Sequence, residues 1–287
     1  LSNEEQEIGQ LTESEGGAAF VARLDEVSLE GVELAFLCGE IETDRPLLDA
    51  LPEGIATVIL SRGASEEDGP AAVAGIRDDR LIGLDRVVSP PAAAIAVARL
   101  VAALAGHRPV AAEATAILPV SDFDSEGIEE LFEETRAILA FTGRRGEGRF
   151  PAQIAFNLLP APDDAELAAR QAREALGGEP PVSLQLGRGG VFHGLLLSLH
   201  VELSSRPGAE EVRAELGRSP AIELADRIDT VGPVSVAGEE KILVGAVRDG
   251  ARPGCYWIWA AMDNLVAGGA DNAIGLAETL LAPGPPS

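Results

Sequence analysis

Few side chains in this chain could act as a nucleophile or a base. It holds two cysteines, Cys38 and Cys255, and three histidines, His107, His193 and His200. A thiolate at Cys38 could attack a carbonyl carbon. The residue ends the apolar run Leu34-Ala35-Phe36-Leu37-Cys38, however, and a buried free cysteine ordinarily packs as a small hydrophobe. Cys255 lies in the alternating run Gly254-Cys255-Tyr256-Trp257-Ile258-Trp259 and is read the same way. His193 could exchange a proton near neutral pH. His200 falls on the polar side of Leu197-Ser198-Leu199-His200-Val201, where solvent or an interface is expected. His107 closes a helix, where a cation suits the dipole. Arg188 could hold a small carboxylate ligand, or it could pair with one of the 47 Asp and Glu residues. Two cysteines make neither a disulfide framework nor a metal-ligand cluster, so no metal is expected.

Five stretches carry a family resemblance. They are Ser89-Pro90-Pro91-Ala92-Ala93-Ala94-Ile95, Thr115-Ala116-Ile117-Leu118-Pro119-Val120-Ser121 and Phe150-Pro151-Ala152-Gln153-Ile154-Ala155-Phe156-Asn157. The fourth is Arg188-Gly189-Gly190-Val191-Phe192-His193-Gly194-Leu195. The last is Asp263-Asn264-Leu265 with Gly268, Asn272-Ala273 and Glu278. In this order they resemble the aspartate-semialdehyde dehydrogenase family, nearest its USG-1-like branch. The resemblance implies a thiol nucleophile at position 92, a substrate-orienting Gln at 118 and a general-base His at 195. The residues there are Ala92, Leu118 and Leu195. A methyl group cannot form and release a thioester, and leucine has no proton to exchange. Losing one member of such a unit costs most of the rate. Arg188 fits the family's substrate-carboxylate arginine, while Asn264, Asn272 and Glu278 fit structural positions of its closing helix. Gly275 stands where that helix usually carries Gln. His193 is two residues before the base position. On a strand that offset keeps the same face, although Gly194 could break the alternation. Cys38 and His193 are therefore the weak alternative catalytic candidates.

The resemblance implies NADP bound on a Gly-x-x-Gly-x-x-Gly turn after the first strand. No such motif occurs here, and the pair Gly16-Gly17 follows Glu13-Ser14-Glu15, which repels phosphate. The chain reads as lacking the first nucleotide-binding βα unit. No cofactor is expected, and NADP only with a glycine-rich motif upstream. The formal net charge of −25 disfavours nucleic acid and anionic membranes. No apolar run is long enough to span a bilayer, because that at 92–105 is short and interrupted by Arg99. A reducing cytoplasm is expected.

Positioning these residues requires an α/β chain of two units. Strands at 19–23, 33–38, 56–60 and within 81–88 alternate with helices near 44–51 and 90–106. They predict a partial Rossmann-like parallel sheet over residues 1–108, joined by a C-terminal helix in 265–287. Residues 109–264 predict an α+β dimerisation domain with a large mixed sheet. Its strands are expected at 109–120, 182–186, 191–203, 242–247 and 256–262, and its helices at 125–141, 164–176 and 208–216. Loops are expected at 143–148 and 283–287. Leu195-Leu196-Leu197 predicts burial on both faces of a strand. The old cleft is then either filled or open to an apolar group or a partner chain. The expected protein is a non-catalytic, dimeric scaffold, binding or regulatory relative of the dehydrogenase, with hetero-assembly with a related subunit as a further option. The alternative is an NAD(P)-dependent aldehyde oxidoreductase with relocated chemistry.

Overall fold

A computed structural model describes residues 8–14, 17–21, 29–142 and 148–282. Residues 22–23, most of the 143–148 loop and the 283–287 tail lie outside them. The first strands are β1 (Leu11–Ser14) and β2 (Gly17–Phe20), an antiparallel hairpin. The strand expected at 19–23 therefore pairs within this hairpin and not in the parallel sheet. That sheet consists of β3 (Leu34–Leu37), β4 (Ala56–Ile59) and β5 (Arg86–Val88), all parallel in that order. Helix α1 (Ile41–Ala50) follows β3. It starts three residues before the expected boundary, because Pro46 lies inside the helix and does not mark its front.

Helix α2 (Ala92–Ala103) is apolar almost all round, with every residue from 93 to 101 buried. Such a helix belongs between layers. One side packs in the large core with Leu195, Leu197 and Leu199; Ile95 and Ala98 pack with Val73 and Ala175. The expectation placed this helix in the first unit, yet its largest core is shared with the second sheet. Buried Arg99 donates from Nη1 to the Ala267 carbonyl at 3.2 Å and pairs through Nη2 with Asp271 at 3.0 Å.

The second sheet is mixed and seven-stranded. Its strands are β6 (Pro109–Leu118), β7 (Leu158–Pro160), β8 (Val182–Gly189), β9 (Leu195–Leu203), β10 (Ile222–Leu224), β11 (Ile242–Asp249) and β12 (Cys255–Met262). The order is β10-β11-β12-β9-β6-β8-β7. Helices α3 (Asp124–Leu139), α4 (Ala165–Ala175) and α5 (Ala209–Leu216) intervene. The short strands β7 and β10 carry no expectation from sequence. Strand β9 begins at Leu195 and not at 191. Gly194 has φ +90°, and a Cβ there would lie 2.7 Å from the Pro233 backbone, so the chain turns at this glycine.

Along β9 burial alternates. Leu195, Leu197, Leu199, Val201 and Leu203 enter the main core. Leu196 faces the other way and packs with Ala225, Val231, Val236 and Ala261. Both faces of this strand end are thus covered, as the three leucines predict. Helix α6 (Asp271–Leu281) follows a π turn at Val266–Ala270 and packs Ala273, Leu276 and Ala277 against Val58, Ala72, Leu81 and Val87 of the parallel layer. Gly275 permits this approach: a Cβ there would lie 2.6 Å from the Ala74 Cβ.

Candidate ligand cleft

The carboxyl ends of β3, β4 and β5 open into a cleft of about 740 Å³. Ligands of open α/β sheets gather at such strand ends. The opposite wall comes from the end of β6, the start of α3, α4, β8 and the 264–269 turn. Phe36, Leu37, Leu60, Val88, Pro91 and Leu186 supply apolar surface.

Ala92 and Leu118 line this space, and Arg188 stands on the same wall. Leu195 does not reach it, being fully buried beneath. Across the sheet Leu195 is paired with Met262. A Cβ on Gly268 would lie 2.8 Å from the Met262 Cε and 2.7 Å from the Ala92 Cβ. Leu118 and Leu195 belong to the main hydrophobic core, and Ala92 packs against it. Ala92 and Leu118 form part of the floor, and the cleft itself stays open. At the front of α2, Pro91 holds the N-cap position with an extended backbone, so the helix start survives beside the methyl group.

The two weaker candidates separate. Cys38 lines the cleft and is exposed, contrary to the buried packing expected of it, because β3 ends at Leu37 and releases the next residue from the sheet. Partial shielding from water raises its thiol pKa, and the Asp44 carboxylate raises it further. This favours the protonated, poorly nucleophilic form. His193 is exposed on the loop before β9 and not on the strand, so the same-face relation to Leu195 does not apply. Cys255 is core, as expected. His107 sits in a short 3-10 turn, its Nδ1 3.0 Å from the Ser205 Oγ. The His200 ring lies against Trp257, centroids 4.7 Å apart and planes tilted by 45°, and its Nδ1 is 3.7 Å from Glu113, on the sheet face away from the main core.

Arg188 pairs with Asp164 at 3.2 Å and lies 4.2 Å above the Phe123 ring. Burial lowers the guanidinium pKa; Asp164 and Asp122 oppose the shift. A second arginine, Arg62, crosses the cleft from the parallel layer. It donates to the Asp122 carbonyl at 2.7 Å and pairs with Glu40 at 3.2 Å and Asp124 at 3.5 Å. Neither Arg62 nor Asp122 stands out in the sequence. Asp122 directly follows the Leu118–Ser121 stretch, but only folding reveals its surroundings. Its carboxyl pKa is pushed up to about 6 by burial, against the Asn264 hydrogen bond and the two arginines.

Asn264 ties the wall together. Its Nδ2 donates to Asp122 Oδ1 at 3.0 Å and Ser121 Oγ at 3.1 Å, and its Oδ1 accepts from Gly194 N at 3.1 Å. Asn272 is fully buried. Its Oδ1 accepts from Ala74 N at 2.9 Å and its Nδ2 donates to Ser89 Oγ at 2.8 Å, fixing the loop before Ala92. Both asparagines thus hold backbone in place, whereas Glu278 is exposed and carries no comparable tie. The Phe150–Asn157 stretch is anchored from α3, where Glu134 Oε2 accepts from Ile154 N at 2.7 Å and Ala155 N at 3.0 Å.

Comparison with known proteins gives this geometry a lineage. Residues 97–267 match the family model described as semialdehyde dehydrogenase, dimerisation domain. A USG-1 protein homolog of Azotobacter vinelandii is 33% identical over 87% of this chain and 79% of its own length. The aspartate-semialdehyde dehydrogenase of Rickettsia bellii is 29% identical over 56% of this chain, which spans 52% of that enzyme. The crystal structure of aspartate semialdehyde dehydrogenase II from Vibrio cholerae superposes with TM-score 0.86 at 22% identity, covering 96% of this chain and 87% of that one. A probable aspartate-semialdehyde dehydrogenase from Pseudomonas aeruginosa superposes with TM-score 0.80 at 27% identity over the same shares. The chain belongs to the aspartate-semialdehyde dehydrogenase family, in its USG-1-like branch.

Proposed function

We propose that this chain is a non-catalytic member of its family, acting as a dimeric binding, scaffold or regulatory protein. One observation carries the reading. The slots that resemblance gives to nucleophile, orienting amide and base hold Ala92, Leu118 and Leu195, and these form part of a continuous hydrocarbon patch. Cys38 is a poor substitute, because burial and the Asp44 carboxylate raise its thiol pKa and disfavour the thiolate. The end of β3 is also a poor seat for a dinucleotide phosphate. Gly39 N, at the end of β3, already donates to Asp44 Oδ2 at 2.8 Å, and Glu40 and Asp124 add further negative charge. No cofactor is therefore assigned there.

The dimer reading rests on the matched dimerisation domain and on the exposed face of the large sheet. There Trp257 and Trp259 remain 42% and 40% exposed beside His200 and Ser198. Large aromatics on an open sheet face suit a partner chain. The first partner to consider is a second copy, and the next a related subunit offering the same face. Two free cysteines suit a reducing cytoplasm, and among the described residues no helix is long and apolar enough to cross a membrane.

The test uses purified protein with aspartate semialdehyde, NADP and phosphate. No reduced nicotinamide should form. Turnover proportional to protein would overturn the reading, and turnover lost in Cys38→Ser would assign the chemistry to that thiol.

A further inference from the structure

The cleft carries a charge pattern that the family resemblance does not suggest. Its walls hold five carboxylates, Glu40, Asp44, Asp122, Asp124 and Asp164, against two cations, Arg62 and Arg188. Both arginines are already engaged, Arg62 with Glu40 and Asp124, and Arg188 with Asp164 and the Phe123 ring. Asp44 accepts from Gly39 N and from the Ser61 hydroxyl at 2.6 Å. Asp122 has Asn264 Nδ2 at 3.0 Å and no guanidinium ion-paired with its carboxylate. A free dicarboxylate or phosphate entering here would meet a net negative wall.

A second observation concerns an unused acceptor. Gln171 lines the same cleft at 2% exposure. Its Nε2 donates to the Ala64 carbonyl at 2.8 Å, while its Oε1 is buried without a hydrogen-bond partner. A buried acceptor left alone is costly and is ordinarily matched by a donor. The Nε of Arg188 also lacks a partner.

We propose that the cleft binds an organic ammonium on a short apolar body, with the cation against Asp122 and the hydrocarbon over Pro91, Ala92 and Leu118. The inference rests on the cleft being a binding site and not a reacting one. A cation placed there balances the wall, and its charge opposes the burial that raises the Asp122 pKa. A volume of about 740 Å³ accommodates such a molecule.

The experiment titrates the full chain with n-pentylamine, pentanoate and 5-aminopentanoate by calorimetry at neutral pH. n-Pentylamine should bind one per chain and pentanoate should not bind. Asp122→Asn, which preserves side-chain shape, should weaken the amine roughly tenfold or more, the loss expected for a charge-assisted contact. Cys38 lines the same space and Cys255 is buried. Bound n-pentylamine should therefore slow alkylation of Cys38 by iodoacetamide in the unmodified chain. The proposal falls if pentanoate binds more tightly than the amine, if the amine is indifferent to Asp122→Asn, if it leaves Cys38 alkylation unchanged, or if none of the three binds. Running the aspartate-semialdehyde assay on the same preparation separates the two claims: turnover defeats the non-catalytic reading, and the titration judges the ammonium.

Discussion

Replacing Gly268 with alanine tests whether the start of α2 and the end of β12 are close-packed core. The added methyl would sit 2.7 Å from the Ala92 Cβ, 2.8 Å from the Met262 Cε and 3.2 Å from the Ala92 Cα. Carbon pairs are most stable at roughly 3.5–4.0 Å, so the two closest contacts intrude by about 1 Å. The opposing atoms belong to the start of α2 and to a side chain on β12, and neither is a free surface chain end. Forced overpacking of this kind costs about 1–3 kcal/mol. For a domain of this size that lowers the melting temperature by roughly 2–10 °C. Calorimetric or denaturant unfolding of four chains would read it: parent, Gly268→Ala, Ala92→Gly and the double variant. Ala92→Gly alone should cost roughly 0.5–1 kcal/mol through helix propensity. It also opens the space that the new methyl needs, so the double variant should recover about 1 kcal/mol relative to additivity. A Gly268→Ala chain that melts with the parent, or a strictly additive cycle, would show that the patch is slack. Ala92 and Met262 would then not be tightly packed around Gly268.

Three other outcomes follow from the same geometry. Asn272→Ala leaves Ala74 N and Ser89 Oγ without their buried partner, and should cost about 2–4 kcal/mol in urea unfolding; a loss below roughly 1 kcal/mol would show that Asn272 is not the tie described. Asp122 has a folded pKa of about 6 against an ordinary 3.8, so the folded chain holds the proton more tightly. Its favourable contribution is full below pH 3.8 and is lost as pH rises through about 6, by at most roughly 3 kcal/mol, and by less because part of the residue opens to the cleft and water. Asp122→Asn should flatten the stability profile across that window, and parallel profiles would refute the assignment. Trp257→Asp places a charge on the open sheet face and should shift the proposed dimer to monomer in sedimentation velocity without lowering helix content; an unchanged sedimentation coefficient would exclude that face as the dimer contact.

The sequence determined much of this protein because its signals are local or collinear. The alternation Leu195-Leu196-Leu197-Ser198-Leu199-His200-Val201 specifies a strand with one core face, and β9 buries alternate residues accordingly. The run after Pro91 specifies a buried helix, and the order of five stretches identifies the family. The hydrocarbon side chains at 92, 118 and 195 are equally plain in the letters. Tertiary structure alone decided what those letters face. Leu195 pairs with Met262 across the sheet, and Met262 and Ala92 both close on Gly268, a relation that only packing of β9, β12, α2 and the π turn creates. The apolar neighbours of Cys38 predict burial, but the sheet stops one residue earlier and leaves it exposed. Arg62 and Asp122 are unremarkable surface types until folding brings them, 60 residues apart in the chain, to a 2.7 Å contact across the cleft. Burial and charge at a site are sums over elements distant in sequence, and they exist only once those elements have packed.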